Sequence, residues 1–332
     1  YYETAPLPTW LAFTAHHLPV WWHHLESRAT LVLELAVPFL IFGPRRARLA
    51  AAFSLSFFQI CNAATANYGF FCYLAAALGV FLLDDADVER AGARLGRYLP
   101  VRIRAGVTRL LSIHGPIDVQ PRARPAALRW LGRLAAALLV VISLVDGLYE
   151  FTEPGRALAF AAPLVELNQR FRLVNTYHLF ASITRERIEP ELQTLAEGAD
   201  LSRADEEGAG TDAAWTPQYF WHKPGDPRRA PDFVAPHQPR VDFQLWFYGL
   251  AFRRREPAYV STLVERMCED PAAVQPLFRQ PLPPRPAAVR LVYWQYQFAS
   301  AAEHRATGAW WRRARVAMSR AIPCPGVVPV PR

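Results

Sequence analysis

From Leu49 to Leu83 the chain runs for 35 residues without a charged side chain. No soluble core helix needs a run of that length. As one helix it would reach about 50 Å, whereas the hydrocarbon layer of a bilayer is about 30 Å thick. One crossing leaves residues over. Two short crossings joined by a bend fit, and the small, polar stretch from Asn62 to Gly69 (NAATANYG) is the natural place to turn. Spans are therefore expected at 48–64 and 68–83. Residues 29–43 (ATLVLELAVPFLIFG), interrupted by Glu34 and Pro38, form another candidate, and 131–150 a fourth, centred on LAAALLVVISLV. Mean hydropathy is only +0.03 because a charge-free part is averaged with a polar remainder.

The charges orient these spans. Net charge is +8, and of 37 basic residues only Lys223 is a lysine. Arg45, Arg46 and Arg48 lie between the first two spans, and nine arginines lie in 84–130. Cytoplasmic loops are the ones that carry such an excess. Four spans then place 43–48 and 84–130 in the cytoplasm. Residues 1–28, the bend and 151–332 fall on the opposite side. Orientation accounts for the positive charge, so no nucleic-acid partner is expected. The chain opens on Tyr1 with no secretory hydrophobic region, which decides nothing about targeting.

Beyond residue 150 prolines, tryptophans and mixed charges replace the aliphatic runs. Residues 172–184, 187–195 and 215–222 are β-branched and aromatic enough for strands. In 289–298, Val292, Trp294, Tyr296 and Phe298 alternate with Tyr293, Gln295 and Gln297, the period of a strand. Residues 242–253 and 256–269 predict amphipathic helices, the second with Pro257 in its first turn. The acidic stretch 197–214 predicts a solvated hairpin loop. Five prolines in 223–240 predict extended backbone. The fold class expected is about four α-helical transmembrane segments followed by a strand-rich α+β domain whose last strand lies near 289–298.

Eight blocks then occur in order: YYETAPLPTWLAFTAHHLPVWW, LELAVPFLIFGPRR, NYGFF, LLDD, VNTYHLFASITRERIE, HKPGDPRRAP, PHQPRVDFQLWF and ATGAWWRR. Together they resemble the lipase maturation factor family, across nearly the whole chain. The insert 84–130, the loop 197–214 and the tail after 322 lie outside the blocks. The resemblance implies a multi-pass protein of the endoplasmic reticulum membrane, or of the cytoplasmic membrane in a bacterium. It also implies a lumenal (or periplasmic) domain that helps secreted lipases reach their active form. VNTYHLFASITRER is closer to the eukaryotic version of its block, which favours the endoplasmic reticulum. Client lipases and membrane lipids are the partners implied, with no enzymatic activity and no cofactor.

Several residues invite a sharper reading. His16, His17, His23 and His24 form two pairs seven residues apart, which on one helix face would suggest a metal site. With only Glu26 nearby as a further ligand, an interfacial segment containing Trp10, Trp21 and Trp22 is preferred, and no metal is expected. Glu34 is a mid-span carboxyl, either functional or bonded between helices. Cys61 and Cys72 lack the close spacing of a redox pair, whereas Cys268 and Cys324 face the oxidising side and are free to pair. HKPGDPRRAP, with Lys223, Gly225 and Asp226, reads as a rigid turn in which Gly225 gives a permissive backbone and Asp226 bonds neighbouring amides. Candidate client-contact or structural residues are His16, His17, His23, Glu34, Tyr177, Arg185, Lys223, Asp226 and Trp246. The rivals are a membrane enzyme using Glu34 and the histidines, and a transporter suggested by the span broken at Pro38.

Overall fold

The computed structural model describes residues 1–95, 97–98, 125–151, 161–174, 184–199, 201, 212–253 and 256–325. The chain divides into two compact units, 1–91 with 183–332 and 92–182, each considered by itself. The first begins with an irregular segment, then α1 (Trp10–His16) and α2 (Val20–Leu35). His17 caps α1 and Pro19 caps α2, so the four histidines straddle two helices and do not share one face. Proline supplies the break because it cannot donate within a continuing helix. The span expected at 29–43 is the second half of α2 followed by a 3-10 helix, Val37–Phe42, with Pro38 in its first turn. Glu34 is exposed near the end of α2.

Next come α3 (Arg45–Thr65) and α4 (Phe71–Leu78), the latter continued by a 3-10 turn, Gly79–Leu82. The 21 residues of α3 give about 32 Å of helix, one bilayer core. Its partner returns alongside it: Ser56 Oγ donates to the Ala76 carbonyl at 3.0 Å and Arg48 Nε to the Leu82 carbonyl at 3.0 Å. A Cβ on Gly79 would lie 2.4 Å from Ser56 Oγ, so a larger residue there would have to displace that hydroxyl. At this end, Arg45 Nε donates to Asp87 Oδ1 at 2.7 Å from α5 (Asp85–Leu95), and Arg48 pairs with Asp84.

The second unit contains α6 (Ala126–Phe151) and α7 (Ala162–Phe171). Among the described residues, Ala126–Leu148 is the helix long and apolar enough by itself to cross a membrane, while Phe71–Leu82 is apolar but short. Asp146 on α6 accepts from Asn168 Nδ2 at 3.2 Å, and Asn168 Oδ1 accepts from the Val174 amide at 2.8 Å. Of the strand expected at 172–184, residues 175–183 lie outside the described residues, and 172–174 and 184 are not strand.

The sheet follows, with β1 (Arg187–Leu195) and β2 (Trp215–Gln218), then helices α8 (Arg240–Leu250), α9 (Ala258–Glu269) and α10 (Pro271–Val274). After these come β3 (Ala288–Phe298), α11 (Ala301–Thr307), β4 (Trp311–Met318) and β5 (Ile322–Pro323). Pairing is antiparallel throughout, in the order β2-β1-β3-β4, with β5 also on β3. β1 and β2 pair antiparallel; of the loop expected at 197–214 between them, residues 200 and 202–211 lie outside the described residues. Pro257 caps α9 from outside and is not in its first turn. The last strand expected near 289–298 is a central one. β4 went unread because Arg312, Arg313 and Arg315 mask its alternation.

One face of the sheet packs Ile188, Leu192, Leu291 and Tyr293 against Leu245, Val260, Val264 and Met267 of α8 and α9. A disulfide between Cys268 and Cys324, Cα atoms 5.1 Å apart, ties α9 to the segment after β5. α8 lies so close to β1 that a Cβ on Gly249 would stand 2.0 Å from the Ile188 carbonyl oxygen. In an open helix, Gly→Ala stabilises by about 1 kcal/mol. Here the obstacle is a strand backbone, so Gly249→Ala is expected to cost about 3 kcal/mol, the upper end for overpacking. Thermal unfolding of the detergent-solubilised chain reads this as a lowered midpoint. An unchanged or raised midpoint would contradict the packing.

Candidate functional site

The other face of the sheet is polar and buried nevertheless. All nine residues of β1 (RIEPELQTL) are buried, including Arg187, Glu189, Glu191 and Gln193. Register puts Arg187 opposite Tyr296, Glu189 opposite Trp294 and Gln193 opposite Arg290. A buried charge needs a partner, and each of these charges has one, although Arg187 Nε, Glu189 Oε1 and Arg290 Nη1 are left without a hydrogen bond among the described residues. Glu189 is held between two cations, Arg187 Nη2 at 2.6 Å and Lys223 Nζ in direct contact. Glu191 pairs with Arg313 at 2.7 Å and accepts from Gln193 Nε2 at 2.7 Å. Arg290 Nε donates to Gln193 Oε1 at 2.8 Å, and Arg290 and Arg315 both reach Asp212. Burial opposes ionisation of Asp212, but the bonds from Arg290 and Arg315 outweigh it and hold the carboxyl below its usual range.

What covers this face comes from far away in sequence. The guanidinium of Arg187 donates through Nη1 to the Glu3 carbonyl at 2.9 Å and to that of Ala5, and through Nη2 to the Pro6 carbonyl at 2.9 Å. Burial pushes this group down to about 9, with Tyr296 and Glu3 opposing, so it stays charged at neutral pH. Trp246 Nε1 donates to the Thr4 carbonyl at 3.0 Å, and Phe298 N–H to Glu3 Oε2 at 3.0 Å. Residues 3–6 are thereby clamped onto the sheet domain.

The turn HKPGDPRRAP forms the second cover. Asp242 Oδ1 accepts from the amides of His222 and Lys223, both at 2.9 Å, which aims Lys223 inward to Glu189. Burial, then the neighbouring Arg187, push the Lys223 ammonium well below its ordinary range, while Asp242 opposes them. Asp226 Oδ1 accepts from the Arg228 amide at 2.9 Å, the local bond its position suggested. Gly225 serves a different purpose from the one its sequence suggested. Its φ is not in the left-handed region, but a Cβ there would sit 2.7 Å from the Tyr219 ring, and its carbonyl accepts from Tyr296 OH at 2.7 Å.

A third cover is Asn67, in the turn between α3 and α4. Its Nδ2 donates to the carbonyls of Leu7 at 3.1 Å and Asp232 at 2.8 Å, and its Oδ1 accepts from the amides of Val234 at 2.7 Å and Ala235 at 3.0 Å. One buried amide side chain thus joins the N-terminal segment, the apolar hairpin and the sheet domain.

The structure separates the sequence candidates. Lys223 and Trp246 are buried. His17 bridges α1 to the sheet domain, Nδ1 lying 2.7 Å from the Phe13 carbonyl and Nε2 3.0 Å from that of Ala299. His23 Nδ1 is 2.8 Å from Glu26, which also accepts from Tyr2 OH at 2.8 Å, and His16 is 4.0 Å from Glu3. Among the described residues no three potential metal ligands are gathered. Arg185 and Asp226 are exposed, and Tyr177 lies outside the described residues. Arg187, Glu189, Asn67 and Asp242 were missed. For Arg187 and Glu189 the only local signal was a charge at every second position of a strand, which ordinarily marks a solvated face; Asn67, in a turn, and Asp242, in the first turn of α8, gave none. The space left beside Lys223, between Pro8 and Trp311, is about 10 Å³, room for roughly one water. The arrangement can hold three chain segments in register.

Residues 1–90 match the lipase maturation factor transmembrane domain, and residues 173–321 match the lipase maturation factor C-terminal domain. Lipase maturation factor 1 of Bos taurus is 30% identical over 95% of this chain and 54% of its own length. Lipase maturation factor 2 of Homo sapiens is 30% identical over 94% of this chain and 53% of its own length. The chain therefore spans about half the length of the curated relatives it matches. No solved structure matches it. With the matched regions covering both the apolar hairpin and the sheet that clamps it, the chain belongs to the lipase maturation factor family.

Proposed function

We propose that the chain is a membrane-bound folding and assembly factor through which secreted lipases mature in the endoplasmic reticulum. The observation that carries this is the match of both its parts, hairpin and sheet domain, to lipase maturation factors. Its clients are lipases, whose apolar surface around the substrate site and at subunit contacts needs shielding during assembly. The exposed residues Arg185 and Asp226, together with Tyr177 and the segment 1–28, are the contact surface proposed for them. The chain acts by binding, without turnover of its own.

In this reading the spans are 29–43, 48–64, 68–83 and 131–150, and 151–332 is lumenal. Three findings support that orientation. The length of α3 fits one crossing, and its arginine end is opposite the end at Asn67 where residues 1–9 and the sheet domain meet. The disulfide Cys268–Cys324 belongs to an oxidising compartment. The test is secretion of a lipase from cells lacking this protein, measuring both lipase mass and activity. Activity per unit of lipase mass is expected to fall severalfold, and to recover when the gene is restored. Normal specific activity would sink the proposal.

A further inference from the structure

Four exposed aromatic side chains stand around the turn between α3 and α4. Phe70 follows the turn directly and is 61% exposed. Trp10, 48% exposed, follows Thr9, whose amide donates to the Thr65 carbonyl at 3.0 Å and whose hydroxyl donates to that of Ala64 at 2.6 Å. The exposed Tyr1 meets Tyr68 through its hydroxyl. The fourth comes from the sheet domain. Phe233 sits within the loop 232–235 that wraps the Asn67 side chain, yet its own ring is 53% exposed.

The backbone of this loop is firmly held while the ring is left outside it, beside three other exposed aromatic side chains, and a bilayer surface would cover all four. Tryptophan and tyrosine collect at the boundary of headgroup and acyl chain, phenylalanine dips into it from the apolar side of surface segments, and the Asn67 end of α3 lies about one hydrocarbon thickness from its arginine end. We infer that Phe233 is a membrane contact of the sheet domain, completing an aromatic ring with Tyr1, Trp10 and Phe70 that seats the domain on the surface of the phospholipid bilayer. The inference rests on the reading of α3 as a span. Its consequence is a fixed height and tilt for the polar-faced sheet above the membrane, where lipase would be met.

Nitroxide labels on the full chain in phosphatidylcholine nanodiscs test this, with Cys61 and Cys72 replaced by alanine and the disulfide intact. Labels are placed by Phe233→Cys, by His237→Cys in the same segment, by Phe57→Cys on the exposed side of α3, and by Arg285→Cys in the turn leading to the far end of β3. Collisional relaxation by oxygen and by a water-soluble nickel complex reports depth. Positions 233 and 237 are expected to be severalfold less accessible to nickel than 285, and less accessible to oxygen than 57. If 57 lies in hydrocarbon while 233 and 237 match 285, the seat is wrong and the span stands. If 57 is itself open to nickel, the span reading fails and takes the seat with it.

Discussion

Glu189→Ala is expected to be the most damaging single substitution in the sheet domain, at about 3–5 kcal/mol. The carboxylate is 1% exposed and lies against both Arg187 and Lys223, themselves 2% and 3% exposed. Removing it leaves two cations facing each other in a site too small to admit a compensating hydration shell. Arg187 retains the carbonyls of Glu3, Ala5 and Pro6, so the penalty falls mainly on Lys223. Replacing both members, as in Glu189→Gln with Lys223→Met, should therefore recover much of the loss, since a buried pair costs desolvation that an apolar side chain does not. The comparison is made by thermal unfolding in detergent. If the single and double variants are equally damaged, the pair is not what is being read.

The second large effect is expected on removing the disulfide. Cys268 and Cys324 are 56 residues apart, and closing a loop of that length restricts the unfolded chain by about 4 kcal/mol. The bond also holds the segment after β5, where the Cys324 amide donates to the Ala287 carbonyl at 3.0 Å, at the start of β3. Cys268→Ala with Cys324→Ala should lower the unfolding midpoint by several degrees, and a reducing agent should do the same to the native chain but nothing to the variant. An equal response of both chains to reductant would rule out this bond as the cause.

Much of the architecture was legible from local pattern. The strands at 187–195 and 289–298 and the helices near 242–253 and 256–269 were found within a few residues, because a period of two or of 3.6 needs only neighbouring positions to be seen. β4 was hidden by its arginines, which serve as partners and stacking groups: Arg313 lies 4.2 Å over the Trp294 ring while pairing with Glu191. The one-face alternative for the histidine run fails on a local break. Pro19 cuts it into two helices, and each half takes carbonyl or carboxylate partners of its own.

By itself, then, the sequence determined where an apolar layer could lie and which loops carry the arginine excess, since composition along the chain sets both. It also carried the family, in blocks spread over the whole length. Tertiary structure decided which residues hold distant segments together. Lys223 meets Glu189 across 34 residues, Arg313 meets Glu191 across 122, and Asn67 reaches the Asp232 carbonyl across 165. No window along the chain contains both members of such a pair. A charged residue looks like a surface residue until the fold supplies the opposite charge that makes its burial affordable.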